Sequence, residues 1–144
     1  MAYTLQAFVA PASGLPAELP PGLRVVVLPG SLVMIPLDTA AREHINVPML
    51  PMTDEGHAEL PETLANAARQ LSQQSKLIYI EAEFFGGEGG QAAALFDQGR
   101  LTGIPCVAPD AINTALRWLG IEVGEHQDEF EAAGLGGRRE TDDW

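Results

Sequence analysis

Glu81 and Glu83 are the first residues whose type and spacing suggest chemistry. They stand two apart in Lys76–Phe85, a stretch that alternates like a strand. Side chains two apart leave the same face of a strand, with Cα atoms about 7 Å from each other. Glycoside hydrolases hold their paired carboxylates at comparable separations, so a general acid and base are geometrically open to this pair. A plainer reading is favoured over it: the solvated face of a strand in a very acidic protein. Tyr79 and Phe85 share that face. Rings interleaved with acids are what a binding face for a basic partner would show.

The run Gly86-Gly87-Glu88-Gly89-Gly90 follows. A phosphate-binding loop opens a helix and usually brings a lysine. Here the chain returns as Gln91-Ala92-Ala93, and Glu88 puts a negative charge in the loop itself. A hairpin turn is the better reading. Its surplus of glycine leaves room for close approach of another chain.

The three histidines, His44, His57 and His126, are far apart and lack ligand spacing, and with one cysteine a zinc site is not expected. No other metal or cofactor motif occurs. Cys106, between Pro105 and Val107, reads as a small buried or half-buried residue rather than a nucleophile at an elbow. Ser13, Ser31, Ser72 and Ser75 fall in turns or at a helix end, outside any G-x-S-x-G. No catalytic residue is assigned.

The elements that must position these groups follow from pattern. Tyr3–Ala10 alternates as a strand, and Pro11–Gly22, with four prolines, is a surface connection. Arg24–Leu28 and Leu32–Leu37 form a hairpin about Pro29-Gly30-Ser31. Asp38 caps a short helix through His44, Asn46–Met52 is extended and Thr53–Leu60 is acidic. Pro61–Gln73 is an amphipathic helix on Leu64, Ala67, Ala68 and Leu71. Gln91–Phe96 and Arg100–Thr102 flank a turn at Asp97-Gln98-Gly99. Asp110 caps a helix whose stripe is Ile112, Ala115, Leu116 and Leu119, and Gly120 ends it. Residues 121–144 form an acidic, glycine-rich tail with one helical turn near Asp128–Ala133. Its rings, Phe130 and Trp144, favour docking on the domain, because burying a tryptophan outweighs leaving it wet. An arm that reaches a partner is the other reading. The expected fold is one domain over 1–144, of class α+β: an antiparallel β-sheet of hairpins with two or three helices packed on one face.

Composition narrows the partners. The chain of 144 residues holds 20 Asp+Glu against 8 Lys+Arg, a formal charge of −12. Nucleic acid and anionic membranes reward the opposite sign, so neither is expected. No apolar run approaches a membrane span, and Met1-Ala2-Tyr3-Thr4 lacks a basic leader. A single thiol suits a reducing compartment, so the expectation is cytoplasmic.

Two stretches together resemble a known group. Tyr79-Ile80-Glu81-Ala82-Glu83-Phe84-Phe85-Gly86-Gly87-Glu88-Gly89-Gly90-Gln91 and the tail Asp128-Glu129-Phe130 through Gly134-Leu135-Gly136 to Thr141-Asp142-Asp143-Trp144 are similar to small, uncharacterised bacterial proteins. Some of those resemble immunity partners of polymorphic toxins. The match covers roughly the second half and brings no catalytic residues. That group favours Gly-Leu-Gly-Arg-x-Arg, and Gly137 stands where its first arginine falls.

The resulting expectation is a non-enzymatic acidic binding module of immunity type, meeting a basic toxin domain through Tyr79, Glu81, Glu83, Phe85 and Glu88, with Trp144 second. Its alternatives are a small hydrolase using Glu81 and Glu83, or a structural accessory subunit. Composition sets no oligomeric state.

Overall fold

Strand β4 spans Lys76–Phe85, the bounds that alternation predicts, and it organises the molecule. The computed structural model describes residues 2–86 and 88–144; Gly87, within the glycine run, lies outside the described residues. Around β4 are β1 (Ala2–Pro11), β2 (Val26–Leu28), β3 (Leu32–Pro36), β5 (Glu88–Asp97) and β6 (Arg100–Val107). The sheet runs β2-β3-β1-β4-β5-β6. Each neighbouring pair is antiparallel. The α+β class with an antiparallel sheet is thus the architecture of the chain.

Helices cover both faces of the sheet, not one. Leu5, Ala7, Val9, Ile78, Ile80 and Ala82 pack under α3 (Ala111–Leu119) and α4 (Glu129–Ala132). Phe8, Ala10, Leu77, Tyr79 and Phe96 pack under α1 (Thr39–Ile45) and α2 (Glu62–Leu71). A strand covered on both faces needs apolar side chains at odd and even positions alike. Ala7-Phe8-Val9-Ala10 and Leu77-Ile78-Tyr79-Ile80 have them, and all eight are buried.

The ends of the helices are set locally. Asp38 Oδ1 accepts from Ala41 N–H at 2.9 Å to start α1, and Asn46 closes it in the left-handed region. Asp110 precedes α3 but makes no side-chain cap; Gln91 Oε1 of β5 accepts from Ile112 N–H at 2.8 Å instead. The sheet itself therefore caps α3.

Beyond Ala7, towards its N-terminal end, β1 has no strand partner on the β3 side among the described residues. The tail takes that place. Thr4 N–H donates to the Arg139 carbonyl at 2.8 Å, and Gln6 N–H donates to Thr141 Oγ1 at 3.1 Å. Asp142 then receives Thr39 N–H and Thr39 Oγ1–H, both at 2.9 Å, at the start of α1. Those bonds hold the Asp142 carboxyl below its ordinary range.

β6 continues past Thr102, where the pattern suggested an end, to Val107. The register shifts between Ala93 and Leu95, opposite Gly103-Ile104-Pro105, so the strand bulges and Ile104 stands 88% exposed. A bulge and a proline on an outer strand are features that oppose edge-to-edge pairing.

Candidate functional site

The face that alternation assigned to Tyr79, Glu81, Glu83 and Phe85 is divided in two. Tyr79 and Glu81 are fully buried, which corrects their expected place on a binding surface. Glu83 is half-buried, while Phe85 and Glu88 are exposed, Phe85 at 76%.

What covers Glu81 is the irregular segment after α1. Its Oε1 accepts Met52 N–H at 2.7 Å and Thr53 N–H at 2.5 Å, and its Oε2 accepts the Tyr79 hydroxyl. Gln6, the cross-strand neighbour of Glu81, donates from Nε2 to Tyr79 Oη at 3.0 Å and to the Pro48 carbonyl at 3.1 Å. Gln6 Oε1 accepts Leu50 N–H at 3.2 Å. Leu50 holds a φ of 44°, an unusual conformation for leucine, which helps aim the following amides at the carboxylate. Three side chains on two strands thus replace the water that Pro48–Thr53 would otherwise need. Burial raises the Glu81 pKa, against the lowering influence of Tyr79 and the two amides. Burial and the Glu81 charge both push the Tyr79 hydroxyl well above its ordinary range.

This arrangement splits the carboxylate pair. Glu81 is enclosed, with both oxygens engaged by protein donors, and Glu83 stands nearer solvent. Two carboxylates flanking one glycosidic bond would both need access to it.

The outer end of the β4–β5 ladder has a different character. Phe85 pairs with Glu88 and Glu83 with Gly90 in register. β6 pairs with β5 only from Ala92 onward, beside which Val107 is 57% exposed. Charge differs along the three strands: Lys76 and Arg100 sit on either side of Asp97 at one end, whereas Glu83 and Glu88 lie toward the other, with the exposed Asp110 just beyond β6. A cleft of about 300 Å³ opens there, lined by Phe84, Gly89, Gly90, Gln91, Val107, Ala108 and Pro109.

Trp144 lies half-buried against the core beneath α3, its indole Nε1 buried with no hydrogen-bond partner among the described residues. The Tyr3 hydroxyl donates to the Leu135 carbonyl at 2.8 Å, and the Tyr3 and Phe130 rings meet edge to face. Cys106 is exposed on β6, not buried or half-buried as its apolar neighbours suggested.

Among the described residues, no three His, Cys, Asp or Glu side chains gather as a metal ion would need. None of the described helices is long and apolar enough to cross a membrane. No family model, no curated protein and no solved structure significantly matches the chain.

Sequence reasoning missed Val107 and Asp110 as members of the outer end, and Ile104 in the bulge that leads to it. Alternating apolar residues past Gly103 were the available signal, hidden by Gly103 and Pro105.

Proposed function

We propose that this chain is a non-enzymatic acidic binding module that engages a basic protein, with neutralisation of a toxin domain as the biological form of that contact. The observation that carries the reading is the outer end of the β4–β5 ladder, where exposed Phe85 and Val107 are flanked by Glu83, Glu88 and Asp110. An exposed ring among acids supplies both an anchor and a field: apolar area gives affinity, and the net charge of −12 accelerates encounter with a positive partner. Tyr79 and Glu81, buried beneath Pro48–Thr53, have a structural part and are not contact residues in this reading. The likeness of the hairpin and tail to immunity-type proteins supports the same direction. A cytoplasmic setting belongs to this reading, consistent with a lone, exposed thiol.

The test is complex formation with any basic protein encoded by a neighbouring reading frame, followed by titration at low and high salt. Glu83→Lys combined with Glu88→Lys should weaken binding roughly tenfold and flatten its salt dependence, with far-UV circular dichroism unchanged. Undiminished affinity in that variant would overturn the reading.

A further inference from the structure

We propose that the notch where β6 leaves β5 receives a short extended segment of the basic partner, which adds to the free edge of β5 and seats one apolar side chain in the cleft. This rests on the reading above that the partner is basic.

The backbone makes the first argument. Ala108 N–H donates to the Gln91 carbonyl at 3.3 Å, so the Gln91 peptide groups face the β6 side. Alternation along an antiparallel ladder turns those of Gly89 the same way. β6 has ended by then, and among the described residues no strand lies beside Gly89 on the side away from β4. Its N–H and C=O are therefore presented to an incoming strand, the usual basis of strand addition.

Side chains make the second. Gly89 and Gly90 place nothing over the edge, so another backbone can come close. Gly89 also has a structural reason to be glycine: a Cβ there would collide with the Glu83 carbonyl oxygen. Gly90 has none, since a Cβ there would meet nothing within 4 Å. Bareness at that second position is unexplained by the fold and suits a neighbour from outside. Phe84, Val107, Ala108 and Pro109 then form an apolar seat of about 300 Å³, enough for one aliphatic side chain.

Charge chooses the occupant. Glu83 and Glu88 adjoin Phe84 and Gly89 of the notch in the chain and Asp110 follows its Pro109, while the far end of the same strands mixes Lys76 and Arg100 with Asp97. A segment with lysine or arginine on either side of its apolar anchor complements that pattern; an acidic one is repelled.

The experiment titrates the full chain, labelled with ¹⁵N, with the capped peptide Lys-Val-Lys-Leu-Lys-Val-Lys. The same peptide N-methylated at its central residues, and a version with glutamate for lysine, are the comparisons. Saturable shifts centred on Gly89, Gln91 and Ala108, weakened roughly tenfold by N-methylation and by Val107→Lys, are expected. Shifts spread over the acidic surface and indifferent to N-methylation would overturn the proposal. So would equal binding of the glutamate peptide. If the notch stays silent while the whole-partner complex still responds to Glu83→Lys with Glu88→Lys, strand addition fails and the broader reading survives.

Discussion

Replacing Glu81 by leucine tests whether a buried carboxylate, and not the apolar core alone, holds Pro48–Thr53 on the sheet. Leucine nearly conserves volume, so the cavity contribution is small. It removes the acceptor of three donors: Met52 N–H, Thr53 N–H and the Tyr79 hydroxyl. Each buried donor left unpaired costs about 1–3 kcal/mol, and Tyr79 can partly reorient, so the total is on the order of 3–6 kcal/mol. At about 3 °C per kcal/mol for a domain of this size, Tm should fall by roughly 10–20 °C. Glu81→Gln separates charge from hydrogen bonding. Its carbonyl can still accept both amides, but its NH₂ meets a Tyr79 oxygen that already accepts from Gln6. A cost of about 1 kcal/mol follows, one neutral hydrogen bond. Chemical denaturation and amide exchange measure both effects, with the Met52 and Thr53 amides losing protection selectively in the leucine variant. A Glu81→Leu protein within about 1 kcal/mol of wild type, with those two amides still protected, would refute the argument.

Three further outcomes follow from the same geometry. Burial raises the Glu81 pKa above its ordinary value of 4.5, so its ionisation opposes folding: the stability margin of wild type over Glu81→Gln should be greatest below pH 4.5 and shrink as pH rises through the raised value; parallel pH–stability curves for the two proteins would contradict this. Asp142 has the opposite sign, its pKa held below 3.8 by Thr39, so its contribution is present above that value and lost as pH falls through the lowered one; Asp142→Ala should cost about 1 kcal/mol and expose the Thr39 amide, measured by hydrogen exchange. Gly89→Ala should destabilise by about 2 kcal/mol or more through its clash with the Glu83 carbonyl, whereas Gly90→Ala should stay within about 0.5 kcal/mol, so equal denaturation midpoints would remove the close approach.

Legibility in the sequence followed the reach of each signal. Alternation is a property of a single strand, and it placed β4 to the residue and put Glu81, Glu83, Tyr79 and Phe85 on one face. Whether that face is covered depends on a distant segment, and Pro48–Thr53 has neither periodicity nor a cap to reveal where it lies. The charge on Glu81 therefore read as solvation, when three hydrogen bonds had taken water's place. A usable signal was present in Leu77-Ile78-Tyr79-Ile80, apolar at consecutive positions and so fit for burial on two sides. Helix α3 was readable from its stripe, but its cap was not, because Gln91 acts from 21 residues away. Of the outer end, Phe85 and Glu88 were visible because they belong to the hairpin. Val107 and Asp110 arrive through a bulge whose glycine and proline look like a strand's end.

The clasp between Thr4–Gln6 and Arg139–Thr141 fixes an order of events during synthesis. The strand that lies near the middle of the sheet leaves the ribosome well before the backbone that closes its bare flank. Until Arg139 and Thr141 have been made, the nascent domain therefore carries an open seam near its centre, with the Thr4 and Gln6 amides awaiting partners more than 130 positions downstream. Chaperones that recognise unpaired strands would find their target there, and a premature stop before Arg139 would leave that seam permanently available to other chains.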